Sequence, residues 1–294
     1  MIKYIPKKYI PSKKVKTLEY IKDDNDRIIG KVCGVFLNTA NMEREKLLAE
    51  LIKAIEKVRD QNDRDIILED LNAFNLKDIQ SIEDNTHLRI RNGMRVKMFF
   101  LPPLLKRIYE GLGEDLKEKE ILIIGDEENL TKKMIESLYE YVGFITLAGK
   151  YETTIEDISS YILNKTGLSI FYSKKIDRLL PNYSIIINLK DYYQLNLDKV
   201  RKKALIFDLS IEKPIKRQLA GLDLPICIDD FMFNVEHLNI KENRFIKSPV
   251  PSYVYEQFNL VPSDHNKIVG LSIGDKMYNI DSFIEGQVRR KVKL

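Results

Sequence analysis

The segment ILIIGDEENLTKKMIESL, residues 121–138, has the order of a chemical site: an apolar run, a turn opening on Gly125, and an amphipathic stretch. A strand, turn and helix of this kind begin the units that hold dinucleotides, because the first helical N–H groups and the helix dipole attract a pyrophosphate. The usual turn reads G-x-G-x-x-G. Its second glycine lets the backbone approach phosphate, and its third lets helix and strand pack closely. Here the six residues are G-D-E-E-N-L, so only Gly125 survives, and Asp126, Glu127 and Glu128 stand where an anion would sit. Two readings stay open. In one, the protein's own carboxylates occupy the anion site, with Asp126 or Asn129 as N-cap, each acid worth about 0.3–1 kcal/mol to the helix. In the other, the turn is a modified phosphate site using a bridging cation or another binding mode.

Further candidates follow the other strands, since ligands of open α/β sheets bind at the carboxyl ends. They are Gly149-Lys150, Lys190-Asp191 and Asp208-Leu209-Ser210. A basic residue at the end of the second strand favours a 2′-phosphate, so Lys150 tips any cofactor from NAD toward NADP. The expected cofactor-binding set is therefore Gly125, Asp126, Glu127, Lys150 and Lys190, with weak or no dinucleotide binding and no catalytic residue assigned. His87, His237 and His265 lack metal-ligand spacing, so no metal site is expected. Cys33, inside an apolar strand pattern, and Cys227, in LPICIDD, read as buried, inert thiols. With no CxxC and no G-x-S-x-G or P-loop, the pattern fits a reduced, cytoplasmic protein.

The elements that must position these residues are regular from residue 119 onward. EILIIG, FITLAGK, LSIFYS, SIIINLKD and KKALIFDLS read as short, near-continuously apolar strands separated by amphipathic segments. That alternation is the signature of a parallel sheet covered on both faces, here a Rossmann-like, doubly wound α/β domain over residues 114–235. Before it, residues 28–113 read as a smaller α/β domain: a strand over 28–37, a helix in NMEREKLLAELIKAIEKVRD, a strand candidate over 65–74, and a connecting helix over 95–113 broken at Pro102-Pro103. Residues 1–27 read as a basic arm interrupted by Pro6 and Pro11, and 236–294 as an extension packing back, with short helices in VYEQF and YNIDSFIEGQVRRKVK.

The 294 residues suffice for one large or two ordinary domains, and 44% hydrophobic with 31% charged residues exclude a disordered chain. No apolar run reaches the ~18–20 residues a bilayer-spanning helix needs. A net charge of +4 is too small to imply nucleic acid. The lysines of the first 16 residues and Arg289, Arg290, Lys291 and Lys293 make both ends basic. They are either solvated tails or a contact for an acidic partner.

The succession GKVCGVFL, a helix, LGEDLKEKEILIIG, then ALIFDLSIEKP with LPICIDD resembles the long-chain acyl-carrier-protein reductases that make fatty aldehydes, over roughly residues 26–235. It is more distantly similar to the cofactor domains of shikimate dehydrogenase and glutamyl-tRNA reductase. The resemblance implies a reductase with an NAD(P) site. It also implies a T-T-G-N segment, of which only Gly93 in RNGM matches, and a nucleophilic cysteine in A-C-x-A-E, where this chain has SYVYE with Tyr253 at the thiol position. A phenol with a pKa near ~10 does not replace a thiolate in thioester reduction. The NTH string at 85–87 lacks the acid of the shikimate dehydrogenase Lys–Asp context. The expectation is an oxidoreductase-like protein, or a pseudoenzyme that binds a small ligand or a protein in the same cleft.

Overall fold

A computed structural model describes residues 15–37, 42–125, 128–151, 154–222, 224–234, 240–241, 243–258, 268–274 and 276–292. The chain divides into two units, Met1–Asn92 with Val235–Val250, and Gly93–Asn234 with Pro251–Leu294.

In the first unit, β1 (Val15–Lys22) and β2 (Ile28–Val35) pair antiparallel. Residues 15–22 are thus a strand and not part of an arm. Their alternation buries Val15 and Ile21 on one face, a period-2 signal masked in the sequence by interleaved lysines. Pro6 and Pro11 lie outside the described residues. Next come α1 (Arg44–Val58), β3 (Asp65–Ile66), α2 (Leu76–Thr86) and β4 (Arg89–Ile90). The strand expected over 65–74 is cut to the two residues of β3, which pair in parallel with β4. Helix α2 starts at a capping box. Asn75 Oδ1 accepts from the N–H of Asp78 at 2.9 Å, and Asp78 Oδ2 accepts from the N–H of Asn75 at 3.1 Å.

The second unit opens with α3 (Met94–Gly111), which runs unbroken through Pro102-Pro103. The interruption expected there does not occur. Each interior proline costs about 3 kcal/mol, but the helix buries Val96, Phe100, Leu101, Leu104, Leu105 and Ile108. At about 1.5–3 kcal/mol per side chain, this burial outweighs the two prolines. There follow β5 (Glu120–Ile124), α4 (Glu128–Leu138), β6 (Phe144–Ala148), α5 (Ile155–Thr166), β7 (Ile170–Tyr172), β8 (Ile185–Asn188), β9 (Leu205–Asp208), α6 (Pro214–Gln218) and β10 (Ile226–Phe233). The last elements are β11 (Val250–Pro251), α7 (Ser252–Phe258), β12 (Ile268–Ile273), β13 (Lys276–Asn279) and α8 (Ile280–Val292).

The main sheet runs β13-β12-β10-β9-β8-β5-β6-β7. From β7 to β10 every pairing is parallel. Ile121–Ile124 and Ile185–Ile187 are wholly buried, as strands covered on both faces must be. Numbered from β5, the six parallel strands stand in the order 3-2-1-4-5-6, the doubly wound Rossmann arrangement. Part of the extension expected over 236–294 adds to this sheet as strands, where the sequence suggested only short helices. β10 continues to Phe233 and pairs antiparallel with β12, and β12 pairs with β13. β13 is exposed at all four residues, an edge strand whose polar sequence hides its pairing.

Candidate functional site

The strand order reverses between β5 and β8, and the crevice of a doubly wound sheet opens there. On the β5 side the chain leaves through Gly125, whose N–H donates to the carbonyl of Ala148 at 3.0 Å. On the β8 side it leaves through Leu189, whose N–H donates to the carbonyl of Ile124 at 2.8 Å. Backbone leaves no room for a side chain at the β6 end, whereas at the β5 end a Cβ would press on side chains. A Cβ on Gly125 would lie 2.9 Å from Tyr151 Oη and 3.2 Å from Thr131 Oγ1, and one on Gly149 would lie 1.7 Å from the carbonyl oxygen of Gly125.

Gly149 follows the last residue of β6, near where a dinucleotide site places its ribose-binding acid. With no room for a Cβ, that position holds no side chain, and the next one is the exposed Lys150. Tyr151 then turns inward to 1% exposure, and its hydroxyl lies 2.5 Å from that of the fully buried Thr131 on α4. Tyr172 meets the Tyr151 ring edge-on at 6.3 Å and donates from its hydroxyl to the carbonyl of Gly149 at 3.0 Å. Leu189 Cβ closes the third side, 3.5 Å from a Cβ placed on Gly125.

Lys190 is half-buried at the mouth of β8. Its backbone is fixed by the Asn188 side chain, which accepts from Lys190 N–H at 3.2 Å and donates to Lys190 C=O at 3.0 Å. Gly125, Lys150 and Lys190 thus follow β5, β6 and β8, three adjacent strands. Asp126 and Glu127 lie outside the described residues. Glu128 opens α4 and is engaged by Lys132 at 2.5 Å, one turn on.

A second cluster, at the ends of β8, β9 and along β10, carries no motif that marks it as a unit in the sequence. Asp208 is wholly buried and satisfied at both oxygens. Its Oδ1 accepts from Asn188 Nδ2 at 2.8 Å and Ser210 Oγ at 2.6 Å, and its Oδ2 from the N–H groups of Ile215 and Lys216 at 2.9 and 3.0 Å. Four hydrogen bonds to one carboxylate tie β8, β9 and the start of α6 together. Lys213, in the left-handed region at φ 51°, donates to the carbonyls of Asp208 and Asp229 at 2.7 and 2.8 Å. Asp229 is held by Lys216 at 3.0 Å and Ser272 at 3.1 Å, and burial pushes its pKa up while the two lysines pull it back.

Lys97, on α3, is 4% exposed and donates to the carbonyl of Leu209 at 3.3 Å. Burial, then the charge of Lys213, lowers its pKa to about 7, against the opposing pull of Asp230 and Asp229. No motif in the sequence flags it, since a lysine in RVKMFF reads as the solvent face of a helix. Its neighbours on the buried stripe, Val96 and Phe100, hold the only available signal.

The other residues singled out in the sequence lie apart from these two clusters or pack within them. Cys227 is buried in β10, and its thiol is pushed far up by burial and by Asp208 and Asp229, so it is no nucleophile at neutral pH. Cys33 is half-buried, not buried as its strand pattern suggests, because the β1–β2 ribbon is only two strands wide; its sulfur lies 3.8 Å from Thr17 Oγ1. His87 caps the end of α2 in the left-handed conformation. Gly93 precedes α3, and a Cβ there would lie 2.1 Å from Ser252 Oγ and 2.7 Å from the Tyr253 nitrogen, so Gly93 meets the start of SYVYE. Among the described residues, no helix is long and apolar enough to cross a membrane.

No protein-family model matches this chain, and no curated protein matches it in sequence. Among solved structures, it is similar to a Δ1-pyrroline-2-carboxylate reductase of Thermococcus litoralis in complex with NADH and L-proline (12% identity, 40% of this chain and 36% of that one, TM-score 0.32). It is also similar to shikimate dehydrogenase from Aquifex aeolicus (18%, 40% and 42%, TM-score 0.28). A third is the nucleotide-binding domain of glutamyl-tRNA reductase from Thermoplasma volcanium (19%, 37% and 75%, TM-score 0.27). The chain matches 36% and 42% of the length of the first two.

Proposed function

We propose that this chain is a divergent NAD(P)-type oxidoreductase-like protein of the acyl or aldehyde reductase kind, with weak dinucleotide affinity and without thioester reduction through a catalytic cysteine. The observation that supports this reading is the strand order β7-β6-β5-β8-β9-β10, which reverses beside β5, the strand that Gly125 follows. In this reading Gly125 underlies the pyrophosphate, Lys150 faces the 2′-phosphate of NADP, and Lys190 lines the β8 side. Asp126 and Glu127 keep the affinity low. The cofactor, when bound, would supply hydride; the chain would supply its orientation. Two widely spaced cysteines that form no disulfide suit a reducing compartment, so we place the protein in the cytoplasm, with its basic ends open to an acidic partner.

The test is calorimetric titration of NADP and NAD into the purified chain, followed by NADPH oxidation with a long-chain aldehyde and a long-chain acyl thioester. NADP should bind more tightly than NAD, both with dissociation constants well above the micromolar range. Absence of saturable binding of either, up to millimolar concentration, by wild type and by a Tyr151→Ala variant that opens the space over Gly125 would overturn the reading.

A second reading is supported by the closure of the space over Gly125 by Tyr151, Thr131 and Leu189. In it the crevice serves a non-catalytic module that binds another small ligand or a protein. Mass spectrometry of small molecules that copurify with the protein separates the two: a bound dinucleotide supports the first, and a different ligand the second.

A further inference from the structure

The residues that close over Gly125 come from the ends of two elements that in a doubly wound site serve one ligand. In a doubly wound site the adenosine ribose meets the end of the second strand, here β6, and the pyrophosphate meets the start of the first helix, here α4. Tyr151 follows β6 by three residues, and its hydroxyl is bonded to Thr131 in the first turn of α4, at 2.5 Å. The bond therefore spans the path from ribose to pyrophosphate. Tyr151 is 1% exposed and Thr131 fully buried, so the pair fills the space and does not merely fringe it. The phenol is held in place from behind, by the edge-on ring of Tyr172 at 6.3 Å, itself anchored through its hydroxyl to the carbonyl of Gly149. Gly149 in turn admits no ribose-binding acid, because a Cβ there would be 1.7 Å from the oxygen of Gly125.

We propose that the Tyr151 phenol, hydrogen-bonded to Thr131 over Gly125, occupies the adenosine-ribose subsite of the crevice and is the residue that sets the affinity for adenine dinucleotides. This rests on the reading of the crevice as an NAD(P)-type site. A ligand with an adenosine half enters only when the phenol is displaced, which breaks the bond to Thr131 and the contact with Tyr172. A ligand confined to the nicotinamide half does not meet this obstacle.

The test is calorimetric titration of the full chain with ADP-ribose, NADP and nicotinamide mononucleotide, in wild type and in Tyr151→Ala, Tyr151→Leu and Tyr151→Phe. Leucine removes the phenol but keeps apolar packing against Tyr172, so it reads the effect if the alanine variant is unfolded by circular dichroism. Affinity for ADP-ribose and NADP should rise at least tenfold in Tyr151→Ala or Tyr151→Leu, with nicotinamide mononucleotide unchanged. Tyr151→Phe keeps the ring but lacks the bond to Thr131, so its gain should lie between wild type and the two truncations. If wild type binds and truncation leaves ADP-ribose unchanged or weaker, the plug is refuted while the NAD(P) reading stands. An equal gain for all three ligands refutes it too, as general loosening. If no variant binds any of the three, the NAD(P) reading itself falls, and the ribose subsite with it.

Discussion

The carbonyl oxygen of Gly125 lies where a Cβ on Gly149 would have to be, at 1.7 Å. The ends of β5 and β6 are thus interlocked through backbone alone. Gly149→Ala should therefore cost roughly 3 kcal/mol or more in unfolding free energy, because neither backbone can yield without breaking the bond from Gly125 N–H to Ala148. Gly113 is the control. It also has positive φ, at 68°, but a Cβ there meets nothing within 4 Å, so Gly113→Ala should cost only the conformational strain, about 1–2 kcal/mol. Urea unfolding of both variants checks the contrast. Equal costs would mean that β6 can shift away from β5.

Asp208 should be the most sensitive polar position of the sheet. Asp208→Ala leaves the donors of Asn188, Ser210, Ile215 and Lys216 without their acceptor in a dry interior. The expected loss is about 3–5 kcal/mol. Asp208→Asn should lose less, since its one oxygen can serve the two α6 N–H groups and Ser210 can turn its hydroxyl to accept from the amide, leaving only the Asn188 amide, which still donates to Lys190 C=O, facing a donor. An Asn variant as unstable as the Ala variant would show that charge, not hydrogen-bond count, holds the cluster.

How much of this is legible in the sequence follows from what each residue has to hide. The parallel strands are readable because burial on both faces leaves strings such as ILII and SIII with no polar residue to confuse. Strand β1 and helix α2 escape because each is half-exposed and rich in charge, although N-L-K-D at 75–78 does carry the capping-box pattern. Gly125 is legible as a strand-end glycine, but its neighbour in space, Tyr151, lies 26 residues away in sequence (151 minus 125) and reads as any aromatic after a turn. Lys97 is illegible for a deeper reason. A buried amine is defined by what surrounds it, and Leu209, Lys213, Asp229 and Asp230 reach it only through the tertiary fold.

That amine gives a pH prediction. The Lys97 pKa falls from the ordinary lysine value of 10.5 to about 7 in the folded chain. Between these values the unfolded chain holds a proton that the folded chain lacks, so this group's contribution to stability rises with pH, by up to about 1.4 kcal/mol per unit. Below pH ~7 both states are protonated and the slope vanishes. Lys97→Met removes the titration. The unfolding free energy of wild type minus that of the variant should be lowest and flat near pH ~6, then climb steadily from pH ~7 to ~9. Taking the difference cancels the titrating groups that the substitution does not touch. A difference that stays level across the range would mean that water or a shift of α3 keeps the ammonium charged.

The acids at the start of α4 give the last prediction. Two unit charges ~6 Å apart at an effective dielectric near 40 interact by about 1.4 kcal/mol, so one carboxylate facing a pyrophosphate costs on the order of tenfold in affinity. Glu128 is already engaged by Lys132 at 2.5 Å, which halves its reach as a free anion or better. Glu128→Gly alone should therefore change dinucleotide affinity less than twofold or threefold, whereas Asp126→Gly with Glu127→Ala should raise it about tenfold. The gain should shrink as salt rises from low to physiological strength, since the screening length falls to ~8 Å, close to the ~6 Å separation. Titrations with and without magnesium discriminate the remaining case. If wild type binds NADP tightly only with magnesium, and the double variant loses that binding, the acids hold a bridging cation. Gly125-Asp126-Glu127 is then a working phosphate turn of its own design and not a self-capped helix start.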